Sequence, residues 1–452
     1  MKRLYFILFA ISFLLIILPG INNYELANYH FYILILLVIV DFFNTKTVSS
    51  FSIWIVAFIY IILSEMIIYN LNNNYSWSIR YLLSANNVVL ISYLCTSPKL
   101  KYLKANFDTN YICVRPNLFL ITIIVMYVIY ISQTFYHVVS NFEGARQLGS
   151  ATGGGTLSGA FIKSFGMVLP AMIGYYVVRI ERKSKWFALL LCLPIIFFLF
   201  ILGTRFRLLF SIAPFFLVTD FIRLKDLNKK SILYITIISV VLVSFTNSMK
   251  KYRNNSFLEV LDAVATSNET FSPASNNHSL SAQICNNCSP EGIVEMTYLA
   301  NRYFENHDLK YGECTGMIFY FWIPRKVWED KPTQLDYWMP RYFNPELAGT
   351  FSSASGFTGE VRADFGLFSY LFMILFGFLL RKVNTMLIVS DYGRKKSYST
   401  LYVVILIPYV FFFVRSPLTS SFNLIFEMAT IYIVGYLCFA KQHLKKQLAK
   451  DC

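Results

Sequence analysis

Residues 4–20, LYFILFAISFLLIILPG, form an apolar run directly after Lys2 and Arg3. A helix needs about 20 predominantly apolar residues to cross a bilayer. No small-x-small cleavage site follows the run, so it is predicted to be a first membrane span rather than a secretory signal. Further apolar runs occupy residues 28–43, 50–69, 81–96, 116–138, 157–178, 186–202, 208–222, 231–248, 364–380, 399–414 and 421–439. The sequence therefore predicts an all-α polytopic membrane protein with about 12 transmembrane helices.

The composition supports this class and excludes others. Hydrophobic residues make up 56% of the chain and charged residues 14%, whereas soluble domains carry about 25% charged residues. The net charge is +15, but the Lys and Arg residues cluster in short loops between apolar runs, and no basic stripe lies on a soluble domain. Nucleic-acid binding is therefore not expected.

The distribution of Lys and Arg also predicts the orientation. With the amino terminus inside, basic residues concentrate in the loops that face the cytoplasm, as the positive-inside rule requires. Both termini are then cytoplasmic, and a long extracytoplasmic loop interrupts the spans. The predicted regions are a bundle of about nine helices at 1–248, the large loop at 249–363, about three helices at 364–440 and a cytoplasmic tail at 441–452.

The large loop ends in the densest polar stretch of the chain. Residues 321–366 read FWIPRKVWEDKPTQLDYWMPRYFNPELAGTFSSASGFTGEVRADFG and contain three of the six Trp residues. Upstream of it, the apolar spacing over 291–307 predicts an amphipathic helix. A loop of this length is typically functional, so we expect the spans to hold it at one face of the bilayer.

Six of the arginines predicted in extracytoplasmic segments are candidate ligands. Guanidinium groups bind phosphate oxygens in a planar, bidentate manner, so together they predict a cationic pocket for an anionic ligand. Each of them alone is also compatible with an interfacial anchor to lipid headgroups. The six are Arg205, Arg207, Arg325, Arg341, Arg362 and Arg415.

The aromatic residues of the polar stretch have two interpretations. Trp and Tyr commonly form a belt at the water–lipid boundary. Since charged residues alternate with them here, they are also candidates for stacking on sugar rings. They are Trp322, Trp328, Tyr337 and Trp338.

Five carboxylates are candidates for acid–base chemistry. They are Glu295, Glu329, Asp336, Glu360 and Asp364. Glu360 is preferred, because Gly356 and Gly359 permit a close backbone turn beside it and a carboxylate there can accept a hydroxyl proton. The competing interpretation is an ion pair between Glu360 and Arg362 or another arginine.

The cysteine pair CNNC, Cys285 and Cys288, lies in the large loop. Outside the cytoplasm such a pair favours a structural disulfide over a redox or zinc site. No spacing of His, Cys and Asp predicts a metal site, and no cofactor is expected.

Three motifs resemble one bacterial family. GTRFRLLF at 203–210, WIPRKVWEDKP at 322–332 and SGFTGEVRADFG at 355–366, together with the many spans and the late loop, resemble the O-antigen or oligosaccharide repeat-unit polymerases (Wzy type). The resemblance implies an inverting glycosyltransferase of the inner membrane. It would transfer a growing glycan from undecaprenyl pyrophosphate to a lipid-linked repeat unit.

The resemblance also implies site roles and partners. Arg205 and Arg325 match the regions that grip the pyrophosphate, and no metal or nucleotide sugar is needed. Together with the choice of Glu360 from its local sequence, catalysis is assigned to Arg325 and Glu360. The implied partners are the undecaprenyl-pyrophosphate-linked oligosaccharide and membrane lipid, with a chain-length regulator and a flippase of the same pathway.

Two other functions remain open at this point. One is an O-antigen ligase, which hands the glycan to the lipid A core. The other is a flippase or transporter for lipid-linked sugar, which predicts charges along a path through the bilayer. The predicted spans hold few charges, chiefly Asp41, Glu65, Lys163 and Glu427, which counts against a transporter.

Overall fold

The structure, a computed structural model, is predominantly α-helical and describes most of the predicted spans. The described residues are 2–45, 49–68, 75–96, 111–140, 157–201, 205–221, 293–305, 307–320, 323, 327–328, 330–332, 335, 338–339, 342, 355–392, 398–416, 418, 421 and 423–441. Within them, eleven of the twelve predicted apolar runs coincide with helices. The ninth run, 231–248, lies outside the described residues.

The helices are α1 (Lys2–Ile17), α2 (Asn23–Thr45), α3 (Ser50–Phe58), α4 (Ser64–Ile68), α5 (Ser76–Cys95), α6 (Pro116–Ser140), α7 (Leu157–Tyr175), α8 (Lys185–Ile201), α9 (Arg205–Val218), α10 (Ile293–Phe304), α11 (Glu313–Tyr320), α12 (Gly356–Phe365), α13 (Ser369–Tyr392), α14 (Ser399–Arg415) and α15 (Asn423–Cys438). A π-helical turn, Ile59–Leu63, joins α3 to α4, and a second one, Tyr176–Ile180, extends α7. The predicted helix over 291–307 is confirmed as α10.

Four helical stretches are long and apolar enough to cross a membrane. They are Asn23–Thr45, Ser50–Ile67, Pro116–Tyr136 and Gly356–Met386. Six shorter apolar helices accompany them among the described residues. These helices support the membrane character expected from the composition, while the count of 12 spans stays a prediction.

The chain divides into two compact units, each built from three separate stretches. The first unit comprises Met1–Lys99, Asn277–Thr385 and Tyr409–Phe422. The second comprises Leu100–Asn276, Met386–Pro408 and Asn423–Cys452.

Helix α5 occupies the centre of the first unit, and its buried polar side chains bond to neighbouring helices. The indole Nε1 of Trp54 in α3 donates to Asn86 Oδ1 at 2.9 Å. Asn87 Nδ2 donates to the hydroxyl of Ser12 in α1 at 2.7 Å. Because apolar helices gain little from mutual hydrophobic contact in lipid, such polar contacts specify which helices pair.

Helices α5 and α13 approach each other closely. The hydroxyls of Ser84 and Tyr370 lie 2.6 Å apart. Further along, a Cβ atom at Gly377 would lie 2.4 Å from the carbonyl oxygen of Val89, so only glycine permits this distance between the backbones.

Replacing Gly377 by Ala is expected to destabilise the first unit by about 1–3 kcal/mol, because the added carbon meets backbone that has no room to yield. The thermal midpoint of the detergent-solubilised protein measures the effect. Gly316→Ala is the matched control, since its added carbon meets nothing nearer than 3.7 Å. Equal midpoints for the two variants would contradict the close packing of α5 on α13.

Arg80 closes the carboxyl end of α1. Its guanidinium donates to the carbonyl of Ile16 and, from Nη2, to that of Ile21 at 3.3 Å. These carbonyls lack partners within a helix, so Arg80, in the second turn of α5, has a structural role.

Asp41 of α2 accepts hydrogen bonds from three hydroxyl groups. Ser49 and Ser52 both donate to its Oδ2, the latter at 2.7 Å, and Tyr5 donates to Oδ1 at 3.4 Å. One of the few charged residues inside a predicted span thus belongs to a local structural network.

The second unit contains a short antiparallel strand pair that the sequence patterns did not predict. Strand β1 (Tyr111–Cys113) pairs with β2 (Phe439–Lys441), with Ile112 opposite Ala440. Tyr398 stacks on Phe439 at a centroid distance of 4.1 Å. The pairing ties the start of α6 to the end of α15.

Candidate functional site

Helix α12 carries the three charged residues of the motif SGFTGEVRADFG, and it begins at Gly356, eight residues before the predicted start of the tenth span at residue 364. Gly356 has φ +63°, and a Cβ there would lie 2.8 Å from the carbonyl oxygen of Val414. Glycine is therefore required where α12 begins against the end of α14. Gly359, expected in the same turn, lies inside the helix.

Arg362 is a half-buried cation held by aromatic rings. Its guanidinium carbon lies 4.5 Å from the ring centroid of Trp77 and 5.2 Å from that of Tyr81. The two rings are themselves stacked at 5.5 Å. The buried Nη1 has no hydrogen-bond partner in the part of the chain that the structure describes. Cation–π contacts thus hold the group, and one of its buried nitrogens lacks a partner among the described residues.

Glu360 points elsewhere. Its side chain is fully buried, and its Oε2 accepts a hydrogen bond from the backbone N–H of Leu418. Positions two apart on a helix face different directions, and no ion pair joins Glu360 to Arg362 in the described structure. Glu360 therefore holds the segment that follows Arg415, the half-buried last residue of α14.

Asp364 caps a helix. Its two carboxylate oxygens accept the backbone N–H groups of Cys314 at 3.0 Å and Thr315 at 2.6 Å. These amides belong to the first turn of α11 and lack intrahelical partners. The geometry gives Asp364 a structural role.

Glu295, in the first turn of α10, lacks the backbone hydrogen bonds that Glu360 and Asp364 accept from described residues. It is 7% exposed and makes no hydrogen bond or ion pair with the described residues. Burial raises the pKa of Glu295 from 4.5 to about 7. The neighbouring Tyr75 responds to the same surroundings, since burial and then the charge of Glu295 raise its pKa to about 12.

The raised pKa of Glu295 makes stability depend on pH. A carboxyl group whose pKa is higher in the folded state contributes stability that is present below about 4.5 and is lost as the pH rises through about 7. The loss amounts to about 3 kcal/mol. Glu295→Gln is expected to remove this dependence, so thermal midpoints between pH 5 and 8 become flat.

The exposed Glu25 of α2 supplies the control, because Glu25→Gln should follow the wild-type pH profile. A Glu295→Gln profile that coincides with the wild-type profile would show that this carboxyl group titrates normally.

An aromatic cluster surrounds His307. Its ring stacks on Tyr303 at 4.2 Å, and Trp338 meets Tyr303 edge-on at 5.1 Å. His307 Nδ1 lies 2.9 Å from the carbonyl oxygen of Tyr303, and its Nε2 lies 3.1 Å from the Tyr342 hydroxyl. Trp338, with Lys310 Nζ 4.9 Å from its ring centroid, is packed into this cluster.

A polar cleft of about 790 Å³ adjoins the cluster. It is lined by Tyr303, Glu305, His307, Asp308, Leu309, Lys310, Tyr311 and Glu313. Tyr311 is 75% exposed and has φ +47°, a conformation that costs a non-glycine residue about 1 kcal/mol or more. Its backbone N–H donates to the carbonyl of Asp364 at 2.9 Å, which fixes the exposed ring beside the cleft.

Several predicted site residues cannot be placed in these arrangements. Trp328 is exposed, with its ring 5.2 Å from that of Tyr320. Arg205 begins α9 in the second unit, but its side chain and that of Arg207 lie outside the described part of the structure. Also outside it are Trp322, Arg325, Tyr337, Arg341, Cys285 and Cys288.

The described residues contain no group of three or more His, Cys, Asp or Glu side chains that could hold a metal ion. Cys314 is a free, buried thiol there.

Comparisons of the chain with protein-family models, with curated proteins and with solved structures found no match.

Sequence reasoning missed the aromatic partners of Arg362 and the isolation of Glu295. Trp77 and Tyr81 are four residues apart at the start of a helix, a spacing that places two rings on one face. That spacing was a usable signal. No pattern near Glu295 in the sequence indicates that its carboxylate lacks polar partners among the described residues, because this depends on which residues α10 packs against.

Proposed function

We propose that the chain polymerises undecaprenyl-pyrophosphate-linked oligosaccharide repeat units by inverting glycosyl transfer at the extracytoplasmic face of the bacterial inner membrane. The observation that carries the proposal is the guanidinium of Arg362, which is half-buried over two rings with a buried Nη1 that no described residue bonds. The motif around it is one of the three that resemble the repeat-unit polymerases.

The charge of Arg362 favours an anionic ligand. A partly buried cation that has no carboxylate beside it is unfavourable unless another anion compensates it. As the glycosidic bond breaks, a pyrophosphate leaving group gains negative charge, and a guanidinium already in place stabilises that charge. Arg205, Arg207, Arg325, Arg341 and Arg415 are the other proposed phosphate ligands.

The surroundings of Arg362 suit a lipid-linked donor. Trp77 beside it is 40% exposed, and Leu367 and Phe368, in the turn that follows α12, are 74% and 72% exposed. Trp commonly lies at the headgroup level of a bilayer. Exposed apolar side chains just after the helix that carries Arg362 provide contact for a polyprenyl tail.

The polar cleft is proposed to receive the glycan. Its exposed Tyr311 offers a ring face for stacking, and carboxylates around it accept hydrogen bonds from sugar hydroxyls. Since Tyr311 is bonded to the backbone of Asp364, the cleft is attached to the helix that carries Arg362. Trp322, Trp328 and Tyr337 are proposed as further stacking residues, while Trp338 supports the cluster behind the cleft.

Arg362→Ala is expected to abolish long-chain glycan while single repeat units remain on the host's lipid A core. Loss of one charge-stabilising donor lowers a reaction rate by about 10²–10³-fold. A host lacking this gene is complemented with each variant, and the ladder of surface polysaccharide is separated on a gel. Arg302→Ala, which changes an exposed arginine of α10, is the control and should keep the full ladder.

The same gels separate the competing functions. Loss of even single units from the core in the gene deletion identifies a ligase. Accumulation of lipid-linked units on the cytoplasmic side identifies a flippase. A full ladder from a well-expressed Arg362→Ala variant removes Arg362 from the site and leaves it as an interfacial anchor.

A further inference from the structure

We infer that Glu295 is the group that accepts the proton of the attacking sugar hydroxyl, an assignment that rests on the proposed polymerase function. The transfer needs a carboxylate that is not already committed to other donors. The structure separates the three described candidates on this point.

Two of those candidates are occupied by backbone amides. Both oxygens of Asp364 accept N–H groups of α11. Glu360 is fully buried, with Oε2 bonded to the N–H of Leu418. Hydrogen bonds to the charged form stabilise a carboxylate and weaken it as a base, so both residues suit positioning roles.

Glu295 has the opposite surroundings. It makes no hydrogen bond or ion pair within the described residues, and 7% of it is exposed. The titratable groups that face it are Tyr75, which precedes α5, and Tyr298 of its own helix, with Glu65 of α4 acting on Tyr75. None of these groups carries a positive charge that would stabilise the carboxylate, so no described residue competes with a hydroxyl donor for the oxygens of Glu295.

Helix packing directs Glu295 toward the start of α5. Ile293 and Thr297 of α10 face α12, where they lie 3.5 Å and 3.3 Å from the Cβ positions of Gly356 and Gly359. Glu295 lies between them in sequence and therefore points to another side of the helix. On that side Tyr75 stands against Tyr298, with ring centroids 4.9 Å apart.

The start of α5 connects Glu295 with the phosphate-binding group. Tyr75 lies beside Glu295, and Trp77 and Tyr81 hold Arg362. The start of α5 thus meets Glu295 through Tyr75 and Arg362 through Trp77 and Tyr81. An acceptor hydroxyl requires a proton acceptor, and a pyrophosphate leaving group requires a cation.

The chemical step balances with these groups. The acceptor oxygen forms a bond to the anomeric carbon, while the bond from that carbon to the pyrophosphate oxygen breaks and leaves its electron pair on the pyrophosphate. The hydroxyl proton passes to a Glu295 oxygen and is returned to water afterwards. A base works best when its pKa lies near the working pH, and burial raises the pKa of Glu295 to about 7.

Initial rates of chain extension against pH test the assignment. The substrate is the pool of lipid-linked repeat units extracted from a host that lacks this gene, added to the purified full-length protein. The wild-type rate should fall below pH 7 as Glu295 becomes protonated. Glu295→Gln should be about 10²–10⁴-fold slower, with a residual rate that no longer falls near pH 7. Glu295→Asp should recover part of the rate together with the acidic fall.

The outcomes separate this inference from the function on which it rests. If wild-type protein does not extend the units at all, the proposed function fails. If wild type extends them and Glu295→Gln does so at an unchanged rate with the same acidic fall, Glu295 is not the proton acceptor and the polymerase proposal stands. A slow Glu295→Gln variant that keeps the acidic fall also overturns the inference, because another group then titrates. Glu25→Gln is the control and should match wild type throughout.

Discussion

Hydrogen bonds from the buried polar side chains of α5 hold the first unit together. Asn87 joins α5 to α1, Asn86 joins it to α3, and Ser84 pairs with Tyr370 of α13. In apolar surroundings each of these groups would be costly without its partner, so few alternative arrangements of the helices satisfy them all. The candidate site depends on this arrangement, because the first turn of α5 supplies the rings that hold Arg362.

Helix geometry gives the charged residues of α12 separate tasks. Arg362 faces Trp77, Glu360 faces the segment after α14, and Asp364 faces the amide groups of α11. The three charged residues, at alternate positions of the motif, therefore contact three different elements. The two carboxylates of α12 already accept backbone amides, which is why the proton acceptor is sought on α10.

The sequence predicted most helices because spans and apolar length are linked by a simple physical requirement. It also predicted α10 from its spacing. It could not predict the role of Glu360, since its bond to Leu418 joins stretches that are far apart in the chain. The strand pair of the second unit could not be predicted from the sequence either, because β1 and β2 are three residues each and lie far apart in the chain. Motif residues outside the described part, such as Arg325, keep their predicted roles.

The three-stretch construction of the first unit has a consequence for its synthesis. Helices α1 to α5 leave the ribosome long before α12 and α13, so the hydroxyls of Tyr81 and Ser84 enter the membrane before their partners Ser369 and Tyr370 exist. Until those later helices are made, both hydroxyls need other hydrogen-bond partners, because an unbonded polar group in apolar surroundings is costly.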